Sequence, residues 1–189
     1  VQARPSLIAK MRQADMALCS GAELEVGWLP MLQVRSSNSA VQNGASSMVY
    51  ATDFVRMLDT HDHVDRSMGD IHAHGNPHVQ FAANDMIPLS RAITERLKTI
   101  DPDNAQAYQL NGMKFRAHWR KKLNEWHEKA APLKGKQVVG YHATYRYLYD
   151  WLSMEQIADL EPKPGISPTT SHLQSCLLYT SPSPRDRYG

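Results

Sequence analysis

The spacing of hydrophobic residues predicts two consecutive helices in the middle of the chain. Apolar side chains between residues 89 and 100 recur at helical spacing and mark one face of a helix. The polar segment Asp101–Asn104 ends that helix, and Pro102 suits the first turn of the next one. This second helix continues to about Lys129, which makes it roughly 40 Å long at about 1.5 Å of rise per residue. We expect its aromatic stripe to lie in a core and the helix to act as a strut between two lobes.

Short apolar runs on both sides of this helix pair predict strands. The predicted strands are Ala14–Ser20, Met48–Tyr50, Gln137–Tyr141 and Gln156–Leu160, and the predicted helices beside them are Glu23–Gln33 and Tyr145–Leu152. Strands that alternate with helices on either side of one long helix are typical of an α/β fold. The pattern therefore predicts two α/β lobes.

The composition indicates a globular protein and excludes two classes of partner. Hydrophobic residues make up 42% of the chain and charged residues 21%, which is an ordinary globular balance. A formal net charge of +2, without any Lys/Arg-rich block, does not favour nucleic acid binding. No apolar run approaches the roughly 20 residues that cross a membrane as a helix. Since the chain begins at Val1 and carries no export leader, we interpret it as a fragment of a longer protein.

The last residues of the chain require a separate interpretation. Residues 176–186, CLLYTSPSPRD, match the translation of a transposase-end adapter used in preparing sequencing libraries. We therefore predict that 176–189 is a non-native, adapter-derived tail. Of the two cysteines, only Cys19 would then be native, so that no disulfide is expected.

Histidines are concentrated in one short segment. Five of the nine lie between residues 61 and 78, and the last of them closes the run Gly75-Asn-Pro-His78. Neutral imidazole is the commonest side-chain ligand for transition metals such as zinc, copper and nickel. A histidine-rich segment that is bent by glycine and proline predicts a metal site.

Several motifs occur together in one order along the chain. They are Gly21-Ala-Glu-Leu-Glu25 with Trp28-Leu29, then Gly75-Asn-Pro-His78, then Tyr141-His142 with Tyr147-Leu-Tyr-Asp-Trp151-Leu, and finally Glu161-Pro-Lys-Pro-Gly165. In this combination the chain resembles the zinc/manganese substrate-binding proteins of metal ABC importers, over roughly Gln2–Gln174. The resemblance implies two Rossmann-like lobes joined by a single long linker helix, with the metal in the cleft between the lobes.

The resemblance also implies a division of the chain into lobes. Residues 1–101 would form an N-terminal lobe that lacks its start, and 102–130 the linker helix. Residues 131–175 would form an incomplete C-terminal lobe, followed by the adapter-derived tail at 176–189.

Two metal ligands follow from matching the family's motifs to this chain. They are His78 of the Asn-Pro-His loop and His142 at the end of a strand. The family's first ligand would precede Val1 and its late carboxylate would follow Ser175, so both would lie outside the chain. The transported ion would be Zn²⁺, with Mn²⁺ as the alternative, because imidazole favours zinc whereas manganese prefers carboxylate oxygens.

Other residues near the predicted site have competing interpretations. His72 and His74 are secondary candidates that cap the site or donate outer hydrogen bonds, or else are exposed loop residues. His61 and His63 belong either to a metal-gathering loop or to an ordinary solvated loop. His118, His127 and His172 are interpreted as structural or surface residues. Glu23 and Glu25 are expected to anchor a helix start or a neighbouring network.

The predicted function is an extracytoplasmic metal receptor and not an enzyme. It would be a monomer, periplasmic or anchored outside the membrane, which delivers its ion to an ABC importer permease. One alternative is a zinc hydrolase of the metallo-β-lactamase type, but Asn76 and Pro77 depart from its His-x-His-x-Asp-His signature. A second alternative is a histidine-rich metal chaperone or surface protein that binds several ions loosely.

Overall fold

The computed structural model of the protein describes residues 4–60, 74–163 and 165–180. In chain order the elements are α1 (Pro5–Arg12), β1 (Ala17–Cys19), α2 (Leu29–Ser36), β2 (Met48–Tyr50), α3 (Met86–Ile100), α4 (Ala105–Ala130), β3 (Gln137–Gly140), α5 (Arg146–Trp151), β4 (Glu155–Asp159) and α6 (Thr170–Thr180). Helices and strands alternate on both sides of α4, as the hydrophobic pattern predicts. Within the described ranges, no helix combines the length and apolar character needed to cross a membrane.

The first sheet consists of β1 and β2, which pair in parallel. Ala17 lies opposite Met48, and Cys19 lies opposite Tyr50. Helices α1 and α2 cover this sheet, and a buried cluster fills the space between them: Met11, Leu29, Leu32, Val41 and Met48. Because parallel strands end at the same edge of a sheet, the loops that follow β1 and β2 lie side by side.

The segment before α2 forms turns and not the predicted helix over Glu23–Gln33. Helix α2 begins only at Leu29, because three consecutive residues from Gly21 have left-handed φ angles of 95°, 46° and 65°. The buried carboxylate of Glu25 accepts hydrogen bonds from the backbone N–H of Ser20 at 2.8 Å and of Gly21 at 3.0 Å. Glu25 therefore anchors this turn with its side chain, and its backbone carbonyl oxygen accepts the N–H of Leu29, the first residue of α2, at 2.8 Å.

Helices α3 and α4 pack closely along one another. The guanidinium of Arg116, buried on α4, donates from Nη1 to Thr94 Oγ1 of α3 at 3.3 Å. Gly112 lies one turn earlier on α4, and a Cβ atom there would lie 2.4 Å from the same Thr94 oxygen. With 26 residues, α4 is about 39 Å long, which agrees with the predicted linker helix.

The aromatic stripe of α4 is partly exposed, so the expectation that it lies in a core is wrong. Phe115 and Trp126 are 43% and 38% exposed. Trp119 stacks on Phe115 with ring centroids 5.6 Å apart and meets Trp126 edge to face at 5.3 Å. Trp119 alone of these three is half-buried, and its indole N–H donates to the carbonyl oxygen of Ala83 at 2.8 Å.

The second sheet consists of β3 and β4, which also pair in parallel, with an irregular register between Val138 and Val139. Helix α5 follows β3 and buries Tyr147. Tyr147 belongs to a core cluster whose other members all precede α4 in the chain: Ala51, Val55, Val79, Ala82 and Leu89. This cluster therefore joins the two parts of the chain that α4 connects.

The C-terminal helix α6 crosses the predicted boundary at Ser175. Cys176 is buried in this helix, and its Sγ lies 3.6 Å from the carbonyl oxygen of Asp159. Residues 181–189 lie outside the described part of the chain. The non-native tail and the division into lobes at residues 101 and 131 stay predictions.

Candidate metal site

The two predicted ligands, His78 and His142, meet although 64 positions separate them in the sequence. His78 follows Asn76-Pro77 and precedes a 3-10 turn, and His142 lies just after β3. Both side chains are half-buried, and their rings meet edge to face with centroids 5.1 Å apart. Zinc–imidazole bonds are about 2.0–2.1 Å long, so both rings are within reach of one cation.

The backbone before His78 requires glycine. Gly75 has a φ angle of 107°, and a Cβ atom there would lie 2.8 Å from the carbonyl oxygen of Leu58. The next residue, Asn76, donates its backbone N–H to that same oxygen at 2.8 Å. The loop is therefore held against the end of the segment that follows β2.

The side chain of Asn76 fixes the proton on the ring of His78. Its Oδ1 accepts the backbone N–H of His78 at 3.0 Å, and its Nδ2 faces two acceptors, Asp59 Oδ2 at 3.1 Å and the carbonyl oxygen of Ala143 at 2.7 Å. The oxygen and nitrogen of the amide are thus assigned by their partners. Because Oδ1 also lies 2.8 Å from His78 Nδ1, that ring nitrogen carries the proton. In the neutral ring, Nε2 is then the atom with a lone pair for a cation.

A carboxylate has the same effect on His142. Glu161 Oε2 lies 2.6 Å from His142 Nδ1, and the side chains of Glu161 and His142 are only 11% and 28% exposed. An ionised carboxylate only accepts hydrogen bonds, so His142 Nδ1 carries the proton and Nε2 has the lone pair. Hydrogen bonds of this kind orient metal-binding histidines in many proteins. Glu161 belongs to the motif Glu161-Pro-Lys-Pro-Gly165, but its pairing with His142 is not apparent from the sequence.

The surroundings of the two rings carry an excess of negative charge. Arg146 donates from Nε to Asp59 at 3.3 Å and lies near Asp159. Burial raises the pKa of the Asp159 carboxyl, Arg146 opposes this shift, and the negative charge of Asp59 adds to it. Glu161, which contacts His142, adds a third carboxylate to Asp59 and Asp159 among the described residues near the two rings. Such a balance attracts a cation.

The secondary candidates lie elsewhere or outside the described residues. His74 is exposed, with its Nε2 4.0 Å from Glu23 Oε1. It lines a cavity of about 630 Å³ together with Glu25 and Asp53, and neither His78 nor His142 is part of that lining. His72, with His61 and His63, falls in the range 61–73, which the structure does not describe.

The histidines interpreted as structural or surface groups lie on α4 or on the C-terminal helix α6. His118 and His127 are exposed on α4, and His172 Nε2 lies 2.8 Å from the carbonyl oxygen of Asp159. In the described ranges, no three side chains among His, Cys, Asp and Glu are arranged to hold a metal ion.

Two small parallel sheets on either side of one long helix form a solute-binding fold that this chain shares with several solved structures. A crystal structure of ZnuA matches this fold with a TM-score of 0.70 and 19% identity, over 92% of this chain and 61% of that one. A periplasmic metal-binding protein from Candidatus Liberibacter asiaticus matches with a TM-score of 0.68 and 18% identity, over 94% and 61%. The protein FpvC from P. aeruginosa, in complex with Ni²⁺, matches with a TM-score of 0.66 and 20% identity, over 95% and 60%. The chain thus spans about three fifths of the length of these structures.

The family is shown by the sequence itself. The model of the family "Zinc-uptake complex component A periplasmic" (ZnuA) matches residues 1–177, and the chain belongs to this family. None of the curated proteins matches the chain significantly. The resemblance and the α/β solute-binding fold are confirmed. Because the family consists of non-enzymatic solute-binding proteins, the prediction that the chain is not an enzyme is also confirmed.

Proposed function

We propose that this chain is part of an extracytoplasmic receptor that captures Zn²⁺, with Mn²⁺ as the alternative ion. The receptor works as a monomer, in the periplasm or anchored outside the membrane, and delivers the ion to the permease of an ABC importer. His78 and His142 are the ligands that this chain contributes. The observation that carries the proposal is the contact between these two rings, each with its Nδ1 proton held by an acceptor.

The chemistry of the pair favours zinc over manganese. Both rings offer a neutral imidazole nitrogen, which suits zinc, nickel and copper better than it suits manganese. The nearby carboxylates of Asp59, Asp159 and Glu161 favour a cation without distinguishing between metals. Among the similar structures, one ZnuA variant is described as zinc-bound and a point mutant of the Liberibacter protein as Mn-bound. The imidazole pair therefore supports zinc, and the strength of the preference for zinc over manganese depends on the ligands outside this chain.

The position of the ligands explains how an ion could be signalled to a permease. His78 lies before α3 and His142 lies after β3, so that α4 separates them in the chain. An ion bound by both rings stabilises the arrangement in which the two parts of the chain are in contact. A permease that recognises this arrangement would distinguish loaded receptor from empty receptor.

Isothermal titration of the chain with Zn²⁺ tests the proposal. We expect one site whose affinity falls at least about 100-fold in the double variant His78→Ala/His142→Ala, because both ligands are lost. The matched control is His61→Ala/His63→Ala, which removes the same number of histidines and should leave that site within about three-fold of the parent.

Two outcomes would contradict the assignment. Several weak sites that survive in His78→Ala/His142→Ala would favour the loosely binding, histidine-rich alternative. Equal losses in the two double variants would mean that histidine number, and not this pair, determines the affinity.

A further inference from the structure

Asn76 is a buried residue whose polar atoms all have partners. Its side chain is 5% exposed and contacts three segments of the chain. Oδ1 accepts from the backbone of His78, and Nδ2 donates both to Asp59 and to the carbonyl oxygen of Ala143. One amide group thus lies between both candidate ligands, because Ala143 directly follows His142.

The contacts of Asn76 cross between the two parts of the chain that α4 separates. The hydroxyl of Tyr147 on α5 donates to the Asn76 carbonyl oxygen at 2.8 Å and accepts the backbone N–H of Leu58 at 3.3 Å. A second link, between Arg146 and Asp59, runs parallel to this one. Residues 142–147 are therefore held against the Asn76 loop by two hydrogen bonds that involve Asn76 itself, and by the neighbouring bonds of Leu58 and Asp59.

We infer that Asn76 is a positioning residue that couples the ring orientation of His78 to the docking of the 142–147 loop. The inference rests on the proposed function in one respect, namely that His78 and His142 bind the same ion. The oxygen of the amide orients the ring of His78, and its nitrogen holds the segment that carries His142. When the two segments separate, the amide keeps Asp59 but loses the carbonyl oxygen of Ala143, so that one partner fewer fixes the orientation in which its oxygen faces the ring of His78.

Only an amide can satisfy these partners at once. A carboxylate at position 76 would still accept from His78, but its second oxygen would face the carboxylate of Asp59 and the carbonyl of Ala143. Asn76→Asp therefore separates the two roles, since it keeps the acceptor for His78 and breaks the link to the other segment. Asn76→Ala removes both. Asn111→Asp and Asn111→Ala, at an exposed position on α4, are the matched controls.

The orientation role is tested without metal by ¹⁵N NMR of the imidazole nitrogens in the 189-residue chain. We expect His78 to carry its proton on Nδ1 in the parent and in Asn76→Asp, and to populate the other tautomer in Asn76→Ala. A structural role alone would not change the tautomer. An unchanged His78 tautomer in Asn76→Ala would overturn the orientation role.

The coupling role is tested by hydrogen exchange and by titration with Zn²⁺ alone. In Asn76→Asp we expect faster exchange in residues 143–151 and an affinity about 10-fold to 100-fold lower, neither of which occurs in Asn111→Asp. Adding Asp59→Asn, which supplies an amide donor to the new carboxylate, should bring the affinity to within about three-fold of Asp59→Asn alone. Hydrogen exchange and Zn²⁺ affinity equal to those of Asn111→Asp would overturn the coupling.

A parent chain that does not bind Zn²⁺ would overturn the proposed function. The hydrogen exchange rates and the His78 tautomer are measured without metal, so they would still decide the role of Asn76.

Discussion

At the scale of single residues, the two candidate ligands differ in what holds their Nδ1 proton. His78 donates to the neutral amide of Asn76, and His142 donates to the carboxylate of Glu161. A charged acceptor forms the stronger hydrogen bond and makes the ring a better electron donor. His142 should therefore bind a cation more strongly than His78 does.

Replacing Glu161 by glutamine tests this difference. The glutamine oxygen still accepts from His142, but the negative charge is gone, so we expect the affinity for Zn²⁺ to fall about 10-fold. The measurement is isothermal titration. Glu155→Gln, which removes an exposed carboxylate on β4, is the control and should bind like the parent. An affinity within about two-fold of the parent in Glu161→Gln would show that its charge has no influence.

The raised pKa of the Cys19 thiol can be tested through the pH dependence of its alkylation. Burial raises the pKa of Cys19 to about 11, and the negative charge of Glu25 adds to this shift. Because the thiolate is the reactive form, little of it exists at about pH 8, and alkylation by iodoacetamide should be at least about ten-fold slower than in the unfolded chain.

The measurement uses Cys176→Ser, so that only Cys19 reports. Its rate in the folded chain should keep rising with pH towards about 11, while in concentrated urea it should level off near the ordinary range of a free thiol. A folded chain that levels off in that same ordinary range would contradict the raised pKa.

The sequence motifs were enough to propose candidate ligands, but they did not indicate the partners of each candidate. The Asn-Pro-His motif and the Tyr-His pair pointed to His78 and His142, which the structure brings together. The roles of Asn76 and Glu161 depend on which side chains meet in three dimensions. Glu161 lies 19 positions after its partner, and no periodicity in the sequence links the two.

At the scale of elements, the contact between α3 and α4 depends on a small residue. Gly112 lies beside Thr94 Oγ1, which donates to the carbonyl oxygen of Ser90 at 2.7 Å and is therefore fixed in place. A Cβ at Gly112 would lie only 2.4 Å from this oxygen, so a larger side chain must push the helices apart.

Gly112→Val should lower the free energy of unfolding by about 1–3 kcal/mol, because overpacking strains the contact between the helices. Asn111→Val places the same β-branched side chain on the exposed face of α4, and we expect a change below about 0.5 kcal/mol there. Urea denaturation followed by circular dichroism measures both. Since valine has a higher helix propensity than glycine, a Gly112→Val variant as stable as the parent would contradict the close contact between the helices.

The elements themselves were predicted unevenly, for physical reasons. Strand β2 was predicted with its observed bounds, Met48–Tyr50, because a short β-rich run stood between turn residues. The start of α2 was wrong because apolar spacing cannot reveal left-handed φ angles or a carboxylate that caps a turn. The aromatic stripe of α4 was placed in a core because helical spacing shows that residues share a face but does not show what covers that face.

At the scale of the whole molecule, two small sheets and one long helix are joined by a shared core. The cluster that contains Val55, Val79 and Tyr147 connects segments from both sides of α4. Ion pairs between Arg146 and Asp59 and between Arg56 and Asp150 span the same boundary. Such exposed or half-exposed pairs each contribute little, typically below about 1 kcal/mol, so the buried cluster dominates this contact.

The alternation of strands and helices was enough to predict an α/β fold. It was not enough to predict that the loop carrying His78 meets the end of β3 that carries His142, since nothing in the local pattern relates residue 78 to residue 142. That arrangement followed from the family resemblance, which the match over residues 1–177 confirms.

The two Nδ1 protons have a consequence for the speed of capture. A free imidazole exchanges its proton between its two nitrogens. An ion can bind only the nitrogen that does not carry the proton, so only one of the two forms can bind an ion that reaches the ring at Nε2. Here Asn76 and Glu161 hold both rings in the form that an incoming cation needs. In the proposed site an ion would therefore not wait for a proton to move, and its arrival and the loss of its water shell would set the rate of binding.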